Sequence, residues 1–284
     1  MGYEYDAARM VGLIEELLSV PAPSGREERA AEIVRGKLAA MGYAPETDPA
    51  GNVLVRLPGR DAGLGTMAMA AHMDEIGMVV TAVDDDGSLR IAPSGHLMPW
   101  KIGERPVTVL GDNESITGVL SFGSTHTPDA GEKPLTWKEA RVLTGYAKAE
   151  LDAKGVRPGS TAVPVRDGRG PFRFGDPADP LIAAWTFDDR AGVAALLELL
   201  ALLRDDAIRP RRPLIVAFTV SEESGCQGAA VVAHREKPEI FVAIDGCPIP
   251  PGSPLELDGR PGTWSKDRRF VTRICAVNWL MSMS

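Results

Sequence analysis

The chain has 284 residues, 44% hydrophobic and 25% charged, which is enough to bury the core of one large domain or of a main domain with an insert. Its formal net charge of −8 gives a surface that repels phosphate backbones, so nucleic acid is not an expected partner. The three cysteines form no close CxxC pair, and the longest apolar stretch, residues 191–203, is too short to span a membrane. Because the first ten residues also lack a signal pattern, we expect a cytoplasmic protein without a membrane partner.

Residues 1–76 have the pattern of the first part of an α/β domain. Apolar residues at helical spacing predict a helix over residues 6–19, and a second helix, capped by Ser24 or Gly25, is predicted over REERAAEIVRGKLAAMG. The strand-like run NVLVRL follows an AGN turn. The apolar run TMAMAA then leads directly to His72 and predicts a buried strand.

Residues 77–177 and 178–284 differ in their pattern of strand-like and helical stretches. In the first segment, short β-type runs alternate with glycine and proline turns, which predicts a small inserted β-rich domain. In the second segment, the strand-like runs PLIAAWTF, RPLIVAFTV and EIFVAID are separated by helical stretches, which predicts right-handed crossovers and a parallel sheet. The predicted fold class is therefore α/β, with a mostly parallel sheet and an insert.

Acidic or imidazole side chains follow four of the predicted strands. They are His72, Asp74 and Glu75 after TMAMAA, Asp188 and Asp189 after PLIAAWTF, Glu222 and Glu223 after RPLIVAFTV, and Asp245 after EIFVAI. An acid after a strand is usually only a helix cap or a solvated loop residue, but the carboxyl ends of such strands are also where open α/β sheets bind ligands. Converging carboxylates are costly unless cations bind between them, and histidine with carboxylates suits Zn, Co or Mn. An unligated glutamate beside the cations would be a general base.

Several motifs resemble metallopeptidase family 42, which contains the glutamyl, deblocking and tetrahedral aminopeptidases. They are AAHMDEIGMVV, WTFDDRAGV, TVSEESGCQGA and VAIDG, together with PAPSGREE, GNVLV and GVLSFGSTH, in this order from about residue 10 to about residue 269. The resemblance implies an αβα catalytic domain with an inserted β-rich domain. It also implies a peptide substrate, two divalent metals per subunit, Zn or Co, and dimers that build into dodecamers.

The resemblance further implies a role for each motif residue. The implied metal ligands are His72, Asp188, Glu223 and Asp245. His72 and Asp245 would belong to the first metal, Asp188 would bridge both metals, and Glu223 would belong to the second metal. Asp74 would hydrogen-bond and orient the imidazole of His72, and Glu222 would be the general base that activates water against a peptide carbonyl.

The C-terminal region departs from the family pattern. Family members carry a further histidine there as a ligand of the second metal, whereas this chain has only His72, His96, His126 and His234. His126, in the GSTH motif, could approach the cleft from a neighbouring subunit, but none of these replaces the further ligand. We therefore expect a C-terminally truncated or frame-shifted member, with a genuinely shortened family member as the alternative. The first site should hold Zn or Co, and the second site should be empty or weakly held.

Two other functions stay open at this point. The first is a related metallohydrolase, either a carboxypeptidase or a deacylase of N-acyl amino acids, which the same metal cluster would serve. The second is a non-catalytic family member. The size of the insert and the DDR-x-G motif favour the aminopeptidase. Cys226 and Cys247 flank the acidic motifs and are expected to be small buried packing residues.

Overall fold

The structure is a computed structural model that describes residues 6–124, 134–177 and 180–246, and the short strand Ile274–Cys275. His126, Cys247 and the end of the chain, for which the sequence raised expectations, lie outside the described residues. The helices are α1 (Ala7–Leu18), α2 (Glu28–Ala40), α3 (Pro99–Ile102), α4 (Lys148–Ala153), α5 (Arg166–Arg169), α6 (Arg190–Asp205) and α7 (Gln227–Glu236). None of these helices has the length and apolar character needed to cross a membrane.

The strands of the described residues belong to a main sheet, a barrel and a two-stranded ribbon. In chain order they are β1 (Glu46–Thr47), β2 (Val53–Leu57), β3 (Met67–His72), β4 (Gly77–Val83), β5 (Leu89–Ser94), β6 (Arg105–Leu110), β7 (Ser115–Ser121), β8 (Arg141–Leu143), β9 (Thr161–Pro164), β10 (Phe172–Phe174), β11 (Leu181–Ala183), β12 (Leu214–Thr219), β13 (Ile240–Ile244) and β14 (Ile274–Cys275).

The main sheet has the strand order β1-β2-β12-β3-β13-β14. Its three central strands, β12, β3 and β13, run parallel, as the strand–helix–strand pattern predicts. The outer strands β2 and β14 run antiparallel to their neighbours. Thr219 pairs with His72, so β12 and β3 end at the same edge of the sheet.

Helices cover both faces of this sheet. Every residue of β12 is buried, as expected for a strand covered on both sides. Because side chains alternate along a strand, Phe218 packs in the core formed with α1, α2 and α6, whereas Ala217 packs with Val232 of α7 on the other face. The architecture is the predicted αβα arrangement.

The predicted β-rich insert contains a closed six-stranded barrel with the order β4-β5-β8-β7-β6-β9. Its interior holds a separate apolar core that includes Met78, Leu89, Val107 and Leu120. The hairpin predicted at Asp86-Gly87 is present between β4 and β5. The bounds of the insert, residues 77–177, stay a prediction.

The prediction of a main-sheet strand over PLIAAWTF is wrong. Only Leu181–Ala183 is extended, and this β11 pairs antiparallel with β10 in a separate ribbon. The two positions beside the central β3 are occupied by β12 and β13, which leaves no place there for a further strand. Asp188 therefore reaches the edge of the sheet from the loop before α6, and three rather than four main-sheet strands lead to the acidic motifs.

Candidate metal centre

The acidic motifs meet at the carboxyl edge of the three central strands. His72 is the last residue of β3, and Asp245 directly follows β13. Glu222 and Glu223 follow β12 after a short turn, in which Ser221 has a positive φ of 54°. The parallel register of these strands brings residues from distant parts of the sequence to one edge.

Three of these side chains form one compact group. The ligand atoms of His72, Asp188 and Asp245 all lie within 4.8 Å of one another. His72 Nε2 lies 3.0 Å from Asp188 Oδ1 and 3.9 Å from Asp245 Oδ1. The imidazole is buried, whereas both carboxylates are partly open to solvent. One imidazole and two carboxylates with an open side fit the donor set of a catalytic Zn or Co ion.

The ring of His72 is held so that Nε2 faces the two aspartates. On its other side, Nδ1 lies 3.1 Å from the backbone oxygen of Asp74 and 3.3 Å from Asp74 Oδ1. Both atoms are acceptors, so they hold a proton on Nδ1, and Nε2 can offer its lone pair to a cation once it has lost its own proton. This is the ring orientation that a metal ligand needs.

The two glutamates after β12 occupy different places. Glu222 Oε2 lies 3.8 Å from His72 Nε2, beside the three-residue group. Glu223 lies outside that group, and its carboxylate is next to Gly95, where a Cβ atom would be 2.7 Å from Glu223 Oε2. Gly95 has a φ of +73° and follows β5, so the barrel lies against the candidate metal centre at this point.

Comparison with known proteins decides the family. A model of the M42 glutamyl aminopeptidases matches residues 51–258 of this chain. The chain belongs to the M42 family. It is 27% identical to the glutamyl aminopeptidase of Lactococcus lactis subsp. cremoris over 240 residues, which are 83% of this chain and 66% of that relative.

Solved structures of aminopeptidases have the same fold as this M42 chain. Aminopeptidase APDkam598 from the archaeon Desulfurococcus kamchatkensis has a TM-score of 0.74 and 28% identity, over 90% of this chain and 68% of that one. The TET1 peptidase of Pyrococcus horikoshii, which can assemble into a tetrahedron or a large octahedral shell, has a TM-score of 0.73 and 27% identity, over 88% and 73% of the two chains. The chain thus spans about two thirds of the length of relatives such as the Lactococcus protein.

The charged groups of this candidate centre shift one another's pKa values. Burial alone would lower the pKa of His72, but hydrogen bonds to Asp188 and Asp74 outweigh it and hold this pKa well above its usual value. Burial, together with the charge of Asp188, raises the pKa of Asp245 to about 6. Burial, together with the charges of Asp188 and Glu222, raises the pKa of Glu223 to about 7. Part of this rise in pKa comes from repulsion between the ionised carboxylates. A cation bound between them would relieve this repulsion.

Ser24 contacts the site and does not cap a helix, so the expected capping role is wrong. Helix α2 begins at Glu28, and its N-cap residue is Glu27, whose side chain makes no capping hydrogen bond. The hydroxyl of Ser24 instead donates to Asp74 Oδ2 over 2.6 Å. Ser24 therefore supports the carboxylate that orients His72.

Two further side chains, Glu27 and Asn52, support the loop that carries the glutamates. Glu27 Oε1 accepts hydrogen bonds from the backbone N–H and the hydroxyl of Ser221, at 3.0 and 3.3 Å. Asn52 is fully buried, and its Oδ1 accepts the backbone N–H of Val220 over 3.0 Å. The GNVLV and PAPSGREE motifs contain these two residues, but neither motif shows which backbone groups their side chains bind.

Asp189 holds the loop of Asp188 in place. Its Oδ1 accepts the backbone N–H of Gly192 at the start of α6, and its Oδ2 accepts the backbone N–H of His72 over 3.2 Å. Burial raises the pKa of Asp189 to about 8. One carboxylate thus caps a helix and ties that helix to the end of β3.

Cys226 is exposed, contrary to the expectation of a buried packing role. Its Sγ lies 3.2 Å from Glu222 Oε1, and partial desolvation and this hydrogen bond raise the pKa of the thiol to about 11. His96 and His234 are both exposed and take no part in the three-residue metal group.

Proposed function

We propose that this protein is a metal-dependent aminopeptidase that removes N-terminal residues from peptides. The observation that carries the proposal is the convergence of His72, Asp188 and Asp245, whose ligand atoms lie within 4.8 Å of one another beside a further acid, Glu222. Membership of the M42 family and the aminopeptidase names of its relatives support the same reaction.

The metal would be held by the chain's own imidazole and carboxylates. His72, Asp188 and Asp245 would bind the first Zn or Co ion, and Glu223, with Asp188 as a bridge, would bind a second one. A divalent cation in this position supplies Lewis acidity, which lowers the pKa of water and polarises a carbonyl group. Asp74 keeps the Nδ1 proton of His72 in place, so that Nε2 stays available.

Glu222 is our proposed general base. Its Oε2 faces the metal group, and its Oε1 accepts the thiol proton of Cys226. In the reaction, Oε2 takes a proton from the attacking water and afterwards delivers it to the nitrogen of the leaving peptide. The backbone N–H of Glu222 is bound by Asp74, which holds this loop in place during the proton transfer.

We also propose a homo-oligomer in the cytoplasm. The proposal of an oligomer is supported by the assembly of the TET1 relative into closed shells. The odd number of cysteines favours a reducing compartment. The proposed substrates are peptides that can enter the candidate metal centre.

The test compares three substrate classes on the purified protein with Co or Zn added. Aminoacyl p-nitroanilides should be hydrolysed, whereas N-acyl amino acids and peptides blocked at the N-terminus should not. Glu222→Gln should lower kcat by about 10²- to 10⁴-fold and leave the metal content unchanged. Glu32→Gln, an exposed change on α2, is the control and should keep full activity. Turnover of N-acyl amino acids alone, or equal activity in Glu222→Gln, would contradict the proposal.

A further inference from the structure

Glu75 has no role in the proposed reaction, although it directly follows Asp74. Its side chain is completely buried. Oε1 accepts the backbone N–H of Ala22 over 2.8 Å, and the backbone N–H of Glu75 donates to the oxygen of Ala22 over 3.1 Å. Glu75 therefore joins the end of β3 to the PAPSG segment that carries Ser24.

Arg169 reaches Glu75 from the end of the insert. Its Nη2 lies 2.9 Å from Glu75 Oε1 and 3.0 Å from Oε2, and it also donates to the backbone oxygen of Val20 over 3.0 Å. The guanidinium is 5% exposed. Arg169 ends α5, which follows the last barrel strand, so this ion pair joins the barrel segment to the catalytic part of the chain.

Arg190 approaches the same carboxylate from the other side. It is the first residue of α6, two residues after Asp188, and its side chain is 1% exposed. Its Nη2 lies 3.6 Å from Glu75 Oε1. Among the residues that the structure describes, Glu75 is the one carboxylate within 4 Å of either guanidinium.

Two buried cations thus share one buried carboxylate. The Nε and Nη1 atoms of both arginines have no hydrogen-bond partner among the described residues, so their contacts are concentrated on Nη2 and Glu75. A buried charge without its partner costs several kcal/mol, which strongly favours the one arrangement in which both guanidiniums meet Glu75. The position of α6, and with it the loop of Asp188, then depends on the end of β3.

We propose that Glu75 is a positioning residue of the first metal site. Through Arg190 it holds Asp188 at its 3.0 Å distance from His72, and through Arg169 it couples the barrel segment to the same place. Glu75 itself touches neither the metal group nor a substrate. The inference rests on the first metal site of the proposed function. It predicts a change in metal affinity and makes no statement about turnover.

The test replaces the charge of Glu75 by a neutral side chain of the same shape. Glu75→Gln should weaken the binding of Zn, measured by competition with a chelating dye, by about 10- to 100-fold. The absorption spectrum of the Co-loaded protein should change as well, because Asp188 no longer holds its place.

The control is Glu198→Gln, the same change at another buried glutamate. Glu198 lies on α6, is 4% exposed, and is bound by Arg9 over 2.6 Å. Both variants should unfold at a lower temperature, but Glu198→Gln should bind Zn within about 2-fold of the wild type, since its site is separate from the metal group.

A purely structural role of Glu75 predicts a different result. Glu75→Gln would then lose stability, yet keep wild-type Zn affinity and the wild-type Co spectrum, and this result would overturn the proposal. If Glu75→Gln does not fold, Arg190→Lys, which keeps the charge but shortens the side chain, must show the same loss of affinity. A wild-type protein that binds Zn but hydrolyses no aminoacyl anilide would refute the aminopeptidase alone and leave this comparison valid.

Discussion

Asp74 Oδ1 accepts the backbone N–H of Glu222 over 2.9 Å. The second oxygen, Oδ2, accepts the backbone N–H of Glu223 over 3.1 Å and the hydroxyl of Ser24. One buried carboxylate on the β3 side of the cleft therefore holds the loop of β12 that carries both glutamates. The same carboxylate faces the imidazole of His72, so it links His72, a proposed metal ligand, to the loop of Glu222, the proposed general base.

Asp74→Asn should impair catalysis more than stability. Both oxygens of Asp74 accept backbone N–H groups, and an amide can present only one oxygen, so its NH2 group would face a donor. We expect kcat to fall by about 10- to 100-fold. Steady-state kinetics with an aminoacyl p-nitroanilide measure this effect.

Ser24→Ala is the matched control for Asp74→Asn. It removes one neutral donor to Oδ2 and leaves both backbone contacts of the carboxylate, so the expected loss is about 1 kcal/mol, or roughly 5-fold in kcat. Equal activities of Asp74→Asn and the wild type would show that the carboxylate does not position the glutamate loop.

Gly95→Ala should disturb Glu223. The new Cβ would lie 2.7 Å from Glu223 Oε2 and 2.8 Å from Ile76 Cγ2, so the carboxylate must move. Because small misplacements of ligands are costly, kcat should fall at least about 10-fold. Gly103→Ala is the control, since Gly103 also has a positive φ, +60°, but nothing lies within 4 Å of its Cβ position. Both changes place a side chain at a positive φ, so equal activities of the two variants would argue against a role of Gly95 beside Glu223.

The metal-free protein should lose stability as the pH rises. The folded-state pKa values of Asp245 and Glu223, about 6 and about 7, lie above the ordinary values of 3.8 and 4.5, and that of His72 is also raised. Groups with raised values contribute stability that is present below their unfolded pKa and is lost as the pH rises through the folded pKa. We therefore expect the melting temperature of chelator-treated protein to fall between pH 5 and pH 8.

Cobalt should counteract the fall of the melting temperature with rising pH. The cation replaces the protons on the carboxylates, so it should raise the melting temperature more at pH 8 than at pH 5. Asp245→Asn removes one of the titrating groups and should flatten the curve of the metal-free protein. A melting temperature that stays constant or rises from pH 5 to pH 8 without metal would contradict the coupling between these groups.

Arg9→Ala should destabilise the fold without affecting the site. Arg9 donates from Nε and Nη2 to the buried carboxylate of Glu198, at 2.6 and 2.7 Å, and this pair joins α1 to α6. Arg9 is one third exposed, so we discount the cost of a fully buried pair and expect a loss of about 2 kcal/mol in the free energy of unfolding. Urea denaturation measures the loss.

Arg90→Ala breaks an exposed pair of similar geometry. Arg90 Nε lies 2.9 and 3.0 Å from the two oxygens of Asp84, but its side chain is 55% exposed. Screening by solvent limits such a pair to about 0.5 kcal/mol. If Arg9→Ala costs no more than Arg90→Ala, the contact between α1 and α6 does not depend on this buried charge.

Much of the fold followed from local pattern. The apolar run before His72 predicted β3, and the alternation of strands and helices predicted the parallel centre of the sheet, because both signals lie within short stretches of sequence. The run before Asp188 carried the same apolar signal but did not enter the sheet. Its place depends on which strands already occupy the positions beside β3, and a local pattern does not contain that information.

The three-residue group and one of its supports, Asp74, were accessible to sequence reasoning, but the contacts of its other supports were not. His72, Asp188 and Asp245 stand at the ends of recognisable runs. Strand direction brings His72 and Asp245 together, and the loop before α6 adds Asp188. Glu27 and Glu75 stand in recognisable motifs, but the motifs do not show their contacts, because their partners are 194 and 94 residues away. Pairing at such distances in the sequence depends on the folded structure.

Anomalous diffraction at the zinc edge, from crystals of the protein grown with Zn, tests the central claim most directly. We predict a strong peak at about 2.0–2.2 Å from His72 Nε2 and from one oxygen each of Asp188 and Asp245. A weaker second peak should lie beside Glu223. Crystals that contain Zn elsewhere but show no peak among His72, Asp188 and Asp245 would contradict the account.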